Sequence, residues 1–267
     1  MPLFDVHAHL SDARLLNSIE EVLKRAEEAG VRSILANGLN PQDNARVLEL
    51  SQRYPMVKPC FGFYPVDAVL AEMREQGIEY PRDAPLFDKE EGIGWVAEHI
   101  GQAFAVGEIG LDGHWVPTSL WGAQEEVFRR LVKLAIEAGK AIVIHTRKRE
   151  ERAFQLLKEL GAKRVNWHCF GGKLRLAREI AEHGHFLSIP SNAYRNEAFR
   201  KMLAALPRES ILFETDCPYL SPEPGRPSEP ADVLRVAELA AELWKEPLKI
   251  VVERVSENFT RLFGVEP

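Results

Sequence analysis

The chain has 267 residues, 45% of them hydrophobic and 28% charged, with a formal net charge of −6. That composition belongs to an ordinary globular protein, and the negative balance argues against a broad electrostatic grip on nucleic acid while leaving room for a local positive rim. No apolar run is long enough to span a bilayer, and the N-terminus lacks the basic and apolar regions of a signal peptide, so neither is expected. Three cysteines, Cys60, Cys169 and Cys217, are far apart and without metal-type spacing, which predicts reduced thiols and a cytoplasmic location.

Apolar runs with strand character alternate with helical patterns along the whole chain. The strand candidates are residues 3–7, 32–36, 57–61, 104–108, 141–145, 165–168, 185–189 and 211–215. Between them, residues 18–29 carry an apolar stripe of Ile19, Val22, Leu23 and Ala26, and residues 124–138 carry one of Val127, Phe128, Leu131, Leu134 and Ala135. Pro41 reads as a helix start, and Gly30, Gly139 and Gly161 as helix stops. Eight such units predict parallel strands joined by helical crossovers, an α/β fold closed as a (β/α)8 TIM barrel in one domain spanning 1–267. A doubly wound open sheet is the alternative. Two stretches break the rhythm: residues 65–92 predict a helix with an embellished loop over one barrel end, and the proline-rich residues 219–230 a rigid open loop.

The strand ends hold the chemistry. His7 and His9 are spaced one apart, so both project to one side of the first strand. Glu108 ends the fourth predicted strand, His145 the fifth, His168 the sixth, and Asp216 follows the eighth. Singly, each has a plain structural explanation as a cap, a turn former or a satisfied histidine. In a barrel, however, catalytic residues gather at the C-terminal ends of the strands, and six candidate ligands from five strands would meet at one mouth. Mixed imidazole and carboxylate donors suit transition metals such as zinc or manganese, and six exceed what one tetrahedral ion needs. Two divalent ions are therefore expected, with Glu108 as the bridging candidate and Asp216 both binding metal and taking a proton from the attacking water.

The ordered set Asp5-Val6-His7-Ala8-His9, Gly107-Glu108-Ile109-Gly110-Leu111-Asp112, Ile144-His145-Thr146-Arg147, His168-Cys169-Phe170 and Glu214-Thr215-Asp216-Cys217-Pro218 resembles the TatD family of metal-dependent hydrolases and deoxyribonucleases. The closing pattern from Asn258 to Gly264 is similar as well, so the resemblance covers residues 5 to 264. It implies one metal held by His7, His9, Glu108 and Asp216, and a second held by Glu108, His145 and His168. It also implies cleavage of DNA phosphodiester bonds, including removal of nucleotides from the 3′ end of single strands, with zinc, manganese or magnesium as the ion. Three departures lie on the substrate side. Tyr64 stands where the family pattern has a histidine, Gly113 and His114 follow Asp112 where an aromatic is common, and the loop 225–230 is thinned.

For the substrate, Arg147 is the phosphate candidate because a guanidinium pairs bidentately with phosphate oxygens, and Tyr64 offers a hydroxyl donor. Lys148, Arg149 and Arg152 read as a solvated helix face, and Lys173, Arg175 and Arg195 as possible additions to a positive rim. Trp115 and Trp121 either stack on a base or pack their loop. Glu214 should face the same way as Asp216, either orienting a ligand or pairing with an arginine. Hydrolysis of a carboxylic ester, lactone or amide on the same metals is the alternative activity, removal of an amino acid from tRNA another, and a non-catalytic metal-binding scaffold the reading from a different class. No membrane and no obligate protein partner are expected.

Overall fold

The computed structural model describes residues 2–265. Eight parallel strands follow one another in chain order: β1 (Leu3–Ala8), β2 (Val31–Asn37), β3 (Val57–Phe61), β4 (Ala105–Asp112), β5 (Ala141–Arg147), β6 (Val165–Trp167), β7 (Phe186–Pro190) and β8 (Ile211–Glu214). Most strand positions are buried, as expected for a parallel sheet covered by its own crossover helices. The seam between the last strand and the first is closed just beyond β8. There the amides of Asp216 and His9 donate to the carbonyls of His7 (2.9 Å) and Cys217 (2.8 Å), and Ala8 bridges Cys217 in parallel. Asp5 strengthens this seam: its carboxylate accepts from the Thr215 amide at 2.9 Å and the Thr215 hydroxyl at 2.5 Å. The result is the (β/α)8 barrel.

The helices form where the pattern asks for them. In Ile19–Glu28 the stripe Ile19, Val22, Leu23 and Ala26 is buried. Helix Pro41–Arg53 starts with Asn40, whose side chain accepts from the Asp43 amide, and Pro41 needs no partner at the first position. Helix Trp121–Glu137 begins three residues before the predicted 124, because the turn Thr118–Leu120 leads straight into it. Helix Leu248–Phe263 seals one side of the barrel, with Phe259 stacked on Phe4 at 4.2 Å between ring centroids.

Other departures from the predicted boundaries change the site. β4 runs to Asp112, four residues beyond the expected end at Glu108, because Ile109 and Leu111 stay buried and the pairing with β5 continues to Asp112 and Arg147. Glu108 is thus inside the strand and Asp112 takes the strand end. β6 stops at Trp167 and leaves His168 just past it. In residues 65–92, a turn at Asp67–Val69 and helix Leu70–Glu75 are followed by irregular chain up to helix Lys89–His99, so Gly92 lies within a helix instead of before one. Residues 219–229 form an open loop, as expected.

Candidate metal centre

His7, on β1, and His9, one residue past it, point their Nε2 atoms to a common place, 3.3 Å apart. Glu108 Oε2 lies 3.5 Å from His7 Nε2 and 3.6 Å from His9 Nε2; Asp216 Oδ1 lies 3.7 and 3.3 Å from the same atoms. Four donor atoms from β1, β4 and the turn after β8 therefore converge. Ligands about 2.1 Å from a tetrahedral ion are separated by edges of about 3.4 Å, so five measured edges of 3.3–3.7 Å have the size that one divalent ion requires.

The other carboxylate oxygen of Glu108 serves a second group. Oε1 lies 3.0 Å from His145 Nδ1 and 3.7 Å from His168 Nε2. Two clusters of potential ligand atoms stand out among the described residues, His7 with His9 and Asp216, and His7 with Glu108 and His168. His7 thus joins both clusters, whereas the resemblance gave it to one ion alone. His145 belongs to neither cluster: its Nδ1 meets Glu108, and its Nε2 lies 3.7 Å from Asp112 Oδ2. Both His145 Nε2 and Asp112 Oδ2 are buried without a hydrogen-bond partner, the state of atoms arranged for a ligand.

Partners behind the histidines fix which nitrogen faces the cluster. His9 Nδ1 is 3.2 Å from the carbonyl of Asn37 and donates to it, which turns Nε2 toward the cluster. His168 Nδ1 is 3.2 Å from Glu214 Oε1, which also accepts from the Cys169 amide at 2.8 Å. Ser188 donates to the second oxygen of Glu214, so this buried carboxylate pairs with a histidine and not with an arginine. Neither Asn37 nor Asp112 was singled out from the sequence. Asp112 sits within the family-like motif and could have been found there; Asn37 acts through its backbone carbonyl, which no residue pattern marks.

Electrostatics match a site built for cations. Burial pushes the His7 imidazole down to about 3, helped by His168, so it is a neutral donor. Burial also works against charge on His9, but Asp216 and Glu108 outweigh it and raise that imidazole to about 9. His145 rises to about 9 in the same way, with Asp112 and Glu108 overcoming burial. Against the penalty of their own burial, the surrounding histidines hold both Glu108 and Asp216 below the usual carboxylate range.

Close packing of backbone permits this convergence. A Cβ on Gly110, whose φ is +153°, would stand 1.8 Å from the carbonyl oxygen of His145, and one on Gly62 would stand 2.7 Å from that of Glu108. Glycine at 110 lets β4 approach β5 where both carry candidate ligands.

The centre opens into a cavity of about 370 Å³ lined by His9, Leu39, Tyr64, Tyr80, Arg82, Glu108, His145, Arg147, His168, Asp216 and Tyr219. Tyr64 is there as expected, its ring edge-on to His145 at 4.9 Å, and burial keeps its hydroxyl protonated. Arg147 ends β5, exposed and without an ion pair among the described residues. Arg149 differs from expectation: it is buried before its helix, over the Trp121 ring at 4.2 Å, and shares Glu125 with Arg152. Trp121 donates to the Val116 carbonyl at 3.0 Å and Trp115 packs edge-on against Tyr80, so both indoles hold their loop. Arg175 pairs with Glu179, Arg195 donates to the Ser221 carbonyl, and neither lines the metal pocket.

Similarity to known proteins runs the length of the chain. The uncharacterized metal-dependent hydrolase YabD of Bacillus subtilis is 33% identical over 98% of this chain and 99% of its own. The putative deoxyribonuclease TATDN3 of Mus musculus is 32% identical over 98% and 88%, and the 3′-5′ ssDNA/RNA exonuclease TatD of Citrobacter rodentium 29% identical over 98% and 98%. The crystal structure of YjjV, a TatD homolog from Escherichia coli K12, superimposes with a TM-score of 0.84 at 25% identity, covering 98% of both chains. With residues 4–264 matching the family described as TatD related DNase, the chain belongs to that family.

Proposed function

We propose that the protein is a two-metal phosphodiesterase that removes nucleotides from the 3′ end of single-stranded DNA. The observation that carries this reading is the convergence of His7, His9, Glu108 and Asp216 at edges of 3.3–3.7 Å, with the second oxygen of Glu108 turned to His145 and His168. His7, His9, Glu108 and Asp216 would hold one divalent ion; Glu108, His145 and His168 the other, with zinc, manganese or magnesium as candidates. Such ions, when bound, acidify water and neutralise charge developing on phosphoryl oxygens.

The chain's own residues do the rest. Asp216, whose side chain is 14% exposed at the pocket mouth, accepts the proton of the attacking water. Tyr64 donates its hydroxyl to a non-bridging phosphate oxygen, and Arg147 offers a bidentate fork to the next phosphate. A cavity of about 370 Å³ suits one strand end better than an intact duplex. Relatives named as a deoxyribonuclease and as a 3′-5′ ssDNA/RNA exonuclease support the substrate class. The same comparisons do not favour the ester, lactone or amide alternative. No helix among the described residues is long and apolar enough to cross a membrane, and free thiols at Cys60, Cys169 and Cys217 fit a reducing, cytoplasmic setting.

The test is a time course on 5′-labelled single-stranded DNA with metal-stripped protein, protein reloaded with magnesium, manganese or zinc, and a Glu108→Ala variant. A 3′-end ladder that needs metal and drops roughly a thousandfold in the variant is expected, a loss of about 4 kcal/mol of transition-state stabilisation. Hydrolysis of p-nitrophenyl acetate without any action on DNA would replace this reading with the ester one.

A further inference from the structure

The irregular chain after helix Leu70–Glu75 doubles back to the barrel mouth and sets Arg82 into the wall of the metal pocket. Its side chain is 28% exposed, and its Nη2 is paired with Asp67, whose side chain is completely buried. Asn40 donates to the other Asp67 oxygen at 3.4 Å. The rings of Tyr64 and Tyr80 flank the guanidinium, with centroids 5.2 and 5.8 Å from its Cζ. A carboxylate at one edge and two aromatic rings around it thus fix a normally flexible side chain.

An ion pair kept for stability alone is a costly device, because both charges must be desolvated. Arg82 is also placed where it has access to ligand. It lines the metal pocket and, together with His9, Leu39 and Tyr219, an adjoining cavity of about 270 Å³. A guanidinium carries five N–H donors, and only Nη2 is committed to a carboxylate. A nucleic-acid chain with its scissile phosphate at the histidine cluster has room for a neighbouring nucleotide in the second cavity, and Arg82 stands on the boundary between the two.

We propose that Arg82 is a substrate-binding residue that takes a backbone phosphate of the nucleic-acid chain next to the scissile bond, with Asp67, Tyr64 and Tyr80 holding its guanidinium in place. This rests on the phosphodiesterase reading above. The segment carrying Arg82 then provides the positive charge that Tyr64 cannot.

The experiment compares the wild-type protein with Arg82→Lys, Arg82→Gln and the paired Asp67→Asn/Arg82→Gln variant, which leaves no buried carboxylate unmatched. Binding of fluorescein-labelled oligothymidylate is read by anisotropy over a series of salt concentrations, in chelator, so that the result does not depend on turnover. Arg82→Gln and the paired variant should bind about ten- to a hundredfold more weakly, the size of a hydrogen bond to a charged group. Their slope of log affinity against log salt should flatten by about 0.7, the value of one phosphate contact on a single strand. Arg82→Lys should keep the wild-type slope. In the metal-loaded proteins KM should rise more than kcat falls. Wild-type affinity and slope in the paired variant, with an unchanged melting temperature, would overturn the proposal, as would no binding of the oligonucleotide by the wild type. Binding that depends on Arg82 without cleavage by any loaded protein would uphold Arg82 as an anion-binding residue and remove the nuclease reading instead.

Discussion

Single residues set the geometry of the candidate centre. Glu214 does not line the pocket itself, yet its Oε1 sets the orientation of His168, which does. Replacing it with Gln keeps the shape but weakens that hold, and affinity at the His145–His168 side should fall about ten- to a hundredfold in a zinc titration, with the His7–His9 side affected less. Acidity acts on the same atoms. The metal-free protein keeps His9 and His145 protonated up to about pH 9, and an ion must displace both protons to reach the bare nitrogens. Affinity should therefore climb from pH 7 to pH 9, by about tenfold per proton per unit, in competition with a chelator of known strength. A flat profile would mean the two imidazoles are not ligands. The six candidate ligands were legible in the sequence because each sits at or near the end of an apolar run. Arg82 was not, since residues 76–88 have no periodicity from which to infer where a side chain returns.

At the scale of elements, the β1–β8 seam is the critical joint, because it carries His7 and His9 on one side and Asp216 on the other. Asp5 takes the place of a ladder carbonyl there, accepting from Thr215 and, at 3.3 Å, from the His7 amide. Burial pushes its carboxyl up to about 8, against the pull of these donors. Asp5→Ala would leave the Thr215 and His7 amides buried and unpaired, at a cost of about 3 kcal/mol that lowers the urea midpoint, and should lower metal content alongside. An unchanged midpoint would show that the seam closes without it. The eight strands could be read from apolar runs bounded by turn residues. The ends of β4 and β6 could not, because strand length here is set by pairing with a neighbour and not by local composition: β4 follows β5 to Asp112, whereas β6 stops at Trp167.

For the whole molecule, candidate ligands drawn from the ends of five strands should couple metal binding to folding. A group that binds only the folded state adds about 2.7 kcal/mol at a hundred times its Kd, which in a protein of this size is about 5 °C in Tm. Stripping the metal with EDTA should lower Tm by that order, and reloading should restore it. The effect should be absent in Glu108→Ala. A Tm indifferent to metal would argue that the pocket is held open by its own hydrogen bonds.

The seam also sets the order of events during synthesis. His7 and His9 leave the ribosome some two hundred residues ahead of Asp216 and the backbone groups that lock β1 in place. At about 5–20 residues per second that is an interval of about 10 to 40 s. Throughout it β1 has β2 on one side and lacks β8 on the other, and the imidazoles of His7 and His9 lack the Asp216 carboxylate from the turn after β8. The His7–His9–Asp216 cluster therefore cannot be complete until residue 216 has emerged, and a chain cut short anywhere before it has neither a closed barrel nor that cluster.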